Sequence, residues 1–289
     1  MANAAQNLRK LLEGRDLLVC PVIGDPMQAR LVERAGLPMA LLGGFGIAAM
    51  RFALPDTGLI SFTEVLDQVR NTCAAVPGFP VVADGDTGYG NAMNVRRTVA
   101  EFARAGAAAI LIEDQVWPKK CGHYGGGRPV IPREEARMKI RAAVEARAAD
   151  GADILIMART DARSSLGFEE AMARCHAFEE EGADIVFAEA LETRAELERF
   201  AGGFRAATWA NMMPKTPVVD RRELQAMGFK VVTYNVLMHA AARAVTQALG
   251  ALAHDNPAEM PELLSFAELT ALVGLPQYDA MAERYRVDA

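Results

Sequence analysis

Eight short apolar runs recur along the chain, each followed by a stretch with helical periodicity. The runs are Leu17–Ile23, Met39–Leu42, Val81–Ala83, Ala108–Ile112, Ile154–Ala158, Ile185–Ala188, Ala206–Ala210 and Lys230–Tyr234. They are short, rich in Ala and β-branched residues, and do not alternate with polar positions. That is the pattern of parallel strands buried on both faces. The intervening segments Pro26–Gly36, Ser61–Ala75, Ala92–Gly106, Arg133–Asp150, Gly167–Gly182, Arg194–Gly202 and Asp220–Gly228 read as helices. Four of them end in a glycine that leads into the next strand: Gly36, Gly106, Gly182 and Gly228. A glycine in the left-handed conformation stops a helix and turns the chain back.

One strand and one helix repeated eight times predict an α/β fold, a (β/α)8 TIM-type barrel, in preference to an open doubly wound sheet. No dinucleotide fingerprint follows the first run. A short amphipathic helix opens the chain, without the long apolar region of a signal peptide. After the eighth run come a helix (Val236–Ala253), a connector bearing Pro257 and Pro261, and two short helices. The expectation is a single barrel domain over 1–289, with 254–289 a helical extension that covers a neighbouring surface or subunit.

Composition narrows the function. With 289 residues, 51% of them hydrophobic, the chain buries a large core, and its net charge of −6 disfavours nucleic acid as a partner. The four cysteines are scattered without a C-x-x-C pair or zinc spacing, which suits a reducing, cytoplasmic setting. No uninterrupted apolar stretch of about 18 residues is present, so no membrane partner is expected.

In such a barrel, catalytic groups lie just after the strands. The second run is followed by Gly43-Gly44-Phe45-Gly46, whose N–H groups can approach a carboxylate closely. The third gives Asp84-Gly85-Asp86, the fourth Glu113-Asp114, the fifth Arg159-Thr160-Asp161, the sixth Glu189, the seventh Asn211 and the eighth Tyr234-Asn235. Asp84, Asp86 and Glu113 offer oxygen ligands to Mg²⁺, although a lone D-x-D is more often a hydrogen-bonded turn. Arg159 is either a planar clamp for a substrate carboxylate or half of a structural ion pair. Glu189 is a substrate contact or the partner of Arg159. The run Lys119-Lys120-Cys121-Gly122-His123 sets a thiol among cations in a glycine-rich stretch, which favours thiolate and acid/base work. The bland alternative is a loop cysteine beside a solvated charge run. Cys175 and His176 fall mid-helix and read as packing or surface residues; His239 and His254 are given no role.

The segments V-V-A-D-G-D-T-G-Y-G-N (81–91), I-E-D-Q-V-x-P-K-K-C-G-H (112–123) and M-A-R-T-D-A (157–162) resemble the isocitrate lyase / phosphoenolpyruvate mutase superfamily. The likeness runs from Gly24-Asp25-Pro26 through Leu54-Pro55-Asp56 to Asn211-Met212, and K-K-C-G-H resembles its carbon–carbon lyase branch. The resemblance implies a barrel whose last helices swap between subunits of a homotetramer. It implies Mg²⁺, with Mn²⁺ as a possible substitute, held by Asp84 and Asp86 with Glu113 acting through water. Cys121 then matches an acid/base cysteine on a gating loop, and Gly43, Gly44, Phe45, Asp56, Gly122, His123, Arg159, Glu189 and Asn211 match contacts to a small carboxylate substrate.

Two segments depart from the lyase pattern. Related lyases read N-M-x-E-G-G-x-T-P after the seventh strand, whereas this chain reads Asn211-Met212-Met213-Pro214-Lys215-Thr216-Pro217, shorter and without the glutamate. Methylisocitrate lyases carry an arginine soon after the eighth strand, where Ala240 stands here. A third carboxylate would lose a charged hydrogen bond of roughly 1.5–3 kcal/mol. The expected substrate is therefore a smaller or more apolar 2-hydroxydicarboxylate, such as an alkylmalate, with Phe45 and Met213 lining its pocket. The alternatives on this scaffold are oxaloacetate decarboxylation or hydrolysis, phosphonomutase chemistry, and carboxylate binding without catalysis.

Overall fold

The computed structural model describes residues 3–122, 124, 127–149, 151–212 and 216–287. His123, Met213, Pro214 and Lys215 lie outside the described residues.

All eight predicted strands form. They are β1 (Leu18–Ile23), β2 (Ala40–Leu42), β3 (Val81–Asp84), β4 (Ala109–Glu113), β5 (Leu155–Thr160), β6 (Ile185–Ala188), β7 (Ala207–Asn211) and β8 (Val231–Tyr234). Each pairs in parallel with the next and β8 returns to β1, closing the barrel. The absence of alternation has its cause here: β4 and β6 are buried along their whole length, facing the barrel interior on one side and helices on the other. Register sets the site. Asp84 lies beside Leu111, Glu113 beside Arg159, and Asn211 beside Thr233.

The predicted helices also form: α1 (Ala4–Glu13), α2 (Pro26–Arg34), then after β2 an additional α3 (Gly44–Phe52), α4 (Phe62–Ala75), α5 (Ala92–Arg104), α6 (Arg133–Ala149), a short α7 (Arg163–Leu166), α8 (Phe168–Glu180), α9 (Arg194–Ala201) and α10 (Arg221–Met227). Local chemistry starts and stops them. Asp25 caps the Gln28 N–H ahead of Pro26, and Ser61 with Glu64, Thr193 with Glu196 and Asp220 with Glu223 form reciprocal capping boxes. Gly36, Gly106, Gly182 and Gly228 all sit at positive φ, as the stop signals require.

Helix α3 is the main element that the pattern does not announce. Its N-cap, Gly43, has no side chain to signal a start, and its apolar residues show no polar face. It lies so close to the end of β1 that a Cβ on Gly24 would come within 2.5 Å of the Gly46 carbonyl oxygen. The glycine run is thus a backbone-on-backbone contact that brings Phe45 to the barrel mouth, and not an open loop.

The chain divides into two compact units, 1–236 and 237–289. The second contains α11 (Leu237–Ala253), a 3₁₀ turn (Pro257–Glu259), α12 (Phe266–Leu272) and α13 (Leu275–Arg284), so the last long helix groups with the 254–289 extension. This unit leaves large apolar side chains in solvent, including Phe266, Tyr278, Leu263 and Leu252. Among the described residues no helix is long and apolar enough to cross a membrane.

Candidate active site

The C-terminal ends of the strands converge on one cavity. Gly43, Gly44, Phe45, Asp56, Asp84, Glu113, Lys119, Cys121, Gly122, Arg159, Glu189 and Asn211 all line it. Of the candidate residues, Asp86 lies just behind this lining and His123 falls outside the described residues.

On the β3 side the carboxylates are packed tightly. Asp84 accepts the Gly44 N–H at 2.9 Å on one oxygen and the Asp86 N–H at 3.0 Å on the other. Asp86 adopts a left-handed φ of 47°, uncommon for a residue with a side chain. Its Oδ1 lies 2.7 Å from the Lys119 ammonium, which also lies 2.6 Å from Asp56 Oδ1. All three side chains are buried. Lys119 therefore has a task that its place in the K-K-C-G-H run does not suggest: its charge is committed to two carboxylates from other segments. Burial alone would lower its pKa, but Asp86, Asp56, Asp84 and Glu113 together raise it well above the usual range. Removing one member of such a buried cluster typically costs about 3–5 kcal/mol.

Burial pushes Asp86 up to about 7 despite Lys119, with Asp84 and Asp56 adding to the rise. Burial likewise holds Glu113 well above the usual carboxylate range, against the pull of Arg159. Asp86 Oδ2 and Glu113 Oε1 are buried with no hydrogen-bond partner among the described residues. Buried carboxylate oxygens without donors are costly and mark a place where another group belongs. Among the described residues no three acidic, thiol or imidazole side chains close tightly enough to hold a bare ion. A hard cation that keeps several of its waters fits this donor set.

On the β5 side, Arg159 is half of a structural ion pair and also lines the cavity. Its Nε and Nη2 bond the two oxygens of Asp161 at 2.9 and 3.0 Å, and it lies 3.4 Å from Glu113 and 3.9 Å from Glu189. It stacks on Phe187 at 5.4 Å and still lines the cavity. The ion pair orients the guanidinium; it does not withdraw it from the mouth. Asp161 in turn lies 2.8 Å from Arg128, whose Nη1 donates to the Gly122 carbonyl at 2.6 Å. Asp114, next to Glu113, faces away: it accepts from Thr160, the Asp161 N–H and Arg174.

The cysteine run is tied down from several sides. The Cys121 N–H donates to the Asp56 carbonyl at 3.1 Å, and the Gln115 side chain bridges both backbone groups of Lys120. Gly122 has a steric reason, since a Cβ there would come 2.6 Å from Glu189 Oε1. Cys121 is 8% exposed and borders the cavity. Cys20 and Cys175 are fully buried, Cys73 borders a separate groove away from this cavity, and burial alone pushes Cys73 up to about 12.

The β7–β8 side is neutral. Asn211 donates its amide to both oxygens of Glu189 at 3.2 and 3.3 Å. Trp209, Thr233 and Asn235 complete the wall, with Trp209 bonding Thr233. Asn235 is one of the strand-end residues that position singles out, although it carries no assigned role there; Trp209 reads as core from sequence and lines the cavity nonetheless. Cys175 is buried and His176 is an exposed ring beside Phe204, in keeping with their structural reading.

A closed parallel barrel with carboxylates, an arginine and a thiol gathered at its strand ends has the architecture of a barrel enzyme. Residues 8–253 match the phosphoenolpyruvate phosphomutase family model, and the chain belongs to the phosphoenolpyruvate mutase/isocitrate lyase superfamily. It is 38% identical to 2,3-dimethylmalate lyase of Eubacterium barkeri, over 98% of each chain. It is 46% identical to 2-methylisocitrate lyase of Aeropyrum pernix, over 79% of this chain and 73% of that one. Among solved structures, 2,3-dimethylmalate lyase superposes with a TM-score of 0.92 at 30% identity, over 100% of both chains. Oxaloacetate acetylhydrolase reaches 0.92 at 29% identity, over 99% of this chain and 98% of that one. Phosphonopyruvate hydrolase, solved with oxalate and Mg²⁺, reaches 0.84 at 30% identity, over 98% and 99%. These relatives are enzymes, and their reactions differ.

Proposed function

We propose that this protein is a Mg²⁺-dependent lyase that cleaves the carbon–carbon bond of an alkyl-substituted 2-hydroxydicarboxylate to a 2-oxo acid, such as pyruvate, and a carboxylate. The observation that carries this reading is the placement of Cys121 in the same cavity as Arg159 and the Asp84–Glu113 cluster. The similarity to 2,3-dimethylmalate lyase supports the substrate class.

Asp84, Asp86 and Glu113 would hold the cation, partly through water, and Mn²⁺ suits the same oxygen donors. When bound, the metal supplies Lewis-acid stabilisation of the negative charge that develops on the 2-oxo acid oxygen. Arg159 binds the substrate carboxylate, held in plane by Asp161. The substrate hydroxyl proton passes to a carboxylate of the cluster. The adjacent carbon–carbon bond breaks, and its electron pair stays on the departing fragment. Cys121 Sγ–H donates its proton to that carbon, and in the condensation direction the thiolate takes the proton back. Val22, Leu41, Phe45 and Phe187 form the apolar part of the wall and keep water from the carbanion. The exposed apolar side chains of 237–287 support assembly with further copies of this chain, for which a homotetramer with exchanged terminal helices is the proposed form.

The test is to incubate the protein and Mg²⁺ with alkylmalates, isocitrate, oxaloacetate and phosphonopyruvate while following 2-oxo acid release. Turnover of the malate-type compounds alone, abolished by chelation, is expected; release that persists undiminished in C121A would overturn the proton-donor role. A second reading, oxaloacetate hydrolysis, is favoured by the neutral Asn211–Asn235 wall and by the likeness to oxaloacetate acetylhydrolase. Oxalate and acetate from oxaloacetate would be its signature.

A further inference from the structure

The loop that carries Asp86 is built in an unfavourable conformation. Asp86 and Tyr89 have φ of 47° and 59°, and Gly88 and Gly90 lie at 82° and 146°. A side-chain-bearing residue in the left-handed region costs on the order of 1–3 kcal/mol and persists only where its surroundings over-determine it. Two consecutive carbonyls of this loop are tied from opposite sides. The Glu113 N–H donates to the Asp86 carbonyl at 2.9 Å, binding it to β4. The Lys139 ammonium donates to the Thr87 carbonyl at 3.1 Å, binding it to α6.

Lys139 is an unusual partner for that task. Its side chain is 5% exposed, and no carboxylate lies within 4.0 Å of its Nζ among the described residues. A lysine normally leaves its ammonium in water, and burying one against a backbone carbonyl is costly. A methionine would pack the same interface between α5 and α6 without that cost. What only the ammonium supplies is a donor for the Thr87 oxygen.

We propose that Lys139 is a positioning residue for the metal-binding loop. By anchoring the Thr87 carbonyl to α6, it holds Asp86 in the left-handed conformation that leaves Oδ2 unpartnered for a hydrated cation. The proposal rests on the reading of Asp84, Asp86 and Glu113 as the metal site, and it adds a residue that touches neither metal nor substrate.

The experiment compares K139M, K139R and D84N with the unaltered protein. Mg²⁺ affinity is measured by titration calorimetry without substrate, amide exchange of residues 84–90 is followed in the metal-free protein, and thermal unfolding is recorded in chelator. K139M is expected to weaken Mg²⁺ at least tenfold and to speed exchange in 84–90. Its KM for substrate at saturating Mg²⁺ should stay within about twofold, because Lys139 touches neither substrate nor metal. K139R, which keeps the donor, is expected to recover most of the affinity. If K139M does not fold, K139L, which likewise lacks a donor, takes its place. A lowered melting temperature with Mg²⁺ affinity unchanged would make Lys139 merely structural and overturn the proposal. D84N separates the two levels: if D84N leaves Mg²⁺ affinity intact the metal reading itself falls, whereas weak binding in D84N with normal binding in K139M removes only the role of Lys139.

Discussion

The mouth of the barrel has two unlike halves. From β3 to β5 it is crowded with charge: Asp84, Asp86, Glu113, Arg159 and Asp161, with Lys119 and Asp56 from the flanking segments. From β7 to β8 it presents Trp209, Asn211, Thr233 and Asn235, without a formal charge. Under the proposed function, the difference gives the substrate an orientation. Its carboxylate and oxygen-bearing carbon would lie at the charged half, where Arg159 and the proposed cation would offset them. Its substituted end belongs at the neutral half, where a further carboxylate would find amides and an indole in place of a cation. Cys121 borders the same cavity, and the proposed function has it serve the carbon that separates the two ends.

Breaking the charged half should have the largest effect. D84N, or chelation of the unaltered protein, is expected to lower kcat by on the order of 10³-fold or more, since Lewis-acid stabilisation is worth several kcal/mol; steady-state assays with and without added Mg²⁺ check this. Next comes C121A, expected to lower kcat by about 10²–10⁴-fold, the usual worth of a positioned acid, with substrate affinity little changed. Replacing Arg159 with lysine removes the planar fork and should raise KM by roughly 10–100-fold, as the loss of a charged hydrogen bond implies. At the neutral half, N235R is expected to raise activity toward a tricarboxylate by about tenfold relative to an alkylmalate, one added charged contact. A smaller and slower signal distinguishes the cysteines. With Cys73 pushed up to about 12, its thiolate fraction at pH 8 is about one in 10⁴ and falls further as pH drops. Alkylation mapped by mass spectrometry at pH 8 should therefore mark Cys121 first, with substrate slowing the reaction.

The strands and most helices were legible because burial on both faces and glycine stops leave local signals. Val81–Asp84 and Gly106 are examples, each readable within a few residues. Helix α3 was not legible, because its start is set by the contact between Gly24 and Gly46 and not by a capping side chain. The carboxylates at the strand ends could be read from position alone. The partnership of Lys119 with Asp56 and Asp86 could not, since its partners lie 63 and 33 residues away and only the closed barrel brings them together. The cations around Cys121 illustrate the same limit. Sequence proximity suggested an influence on the thiol, whereas in space the Lys119 ammonium contacts carboxylates. Arg128 and Asp161 tie Gly122 to β5 through a similar long-range link. His123 and Met213, expected at the substrate, lie outside the described residues.

The most direct test of the two-sided mouth is the ratio of kcat/KM for a 2,3-dialkylmalate to that for 2-methylisocitrate, measured with saturating Mg²⁺ by the release of 2-oxo acid. The account predicts a ratio above about ten, the discrimination that one missing charged contact supplies. A ratio below one would contradict it, because the neutral β7–β8 wall would then be accepting a carboxylate that it has no cation to bind.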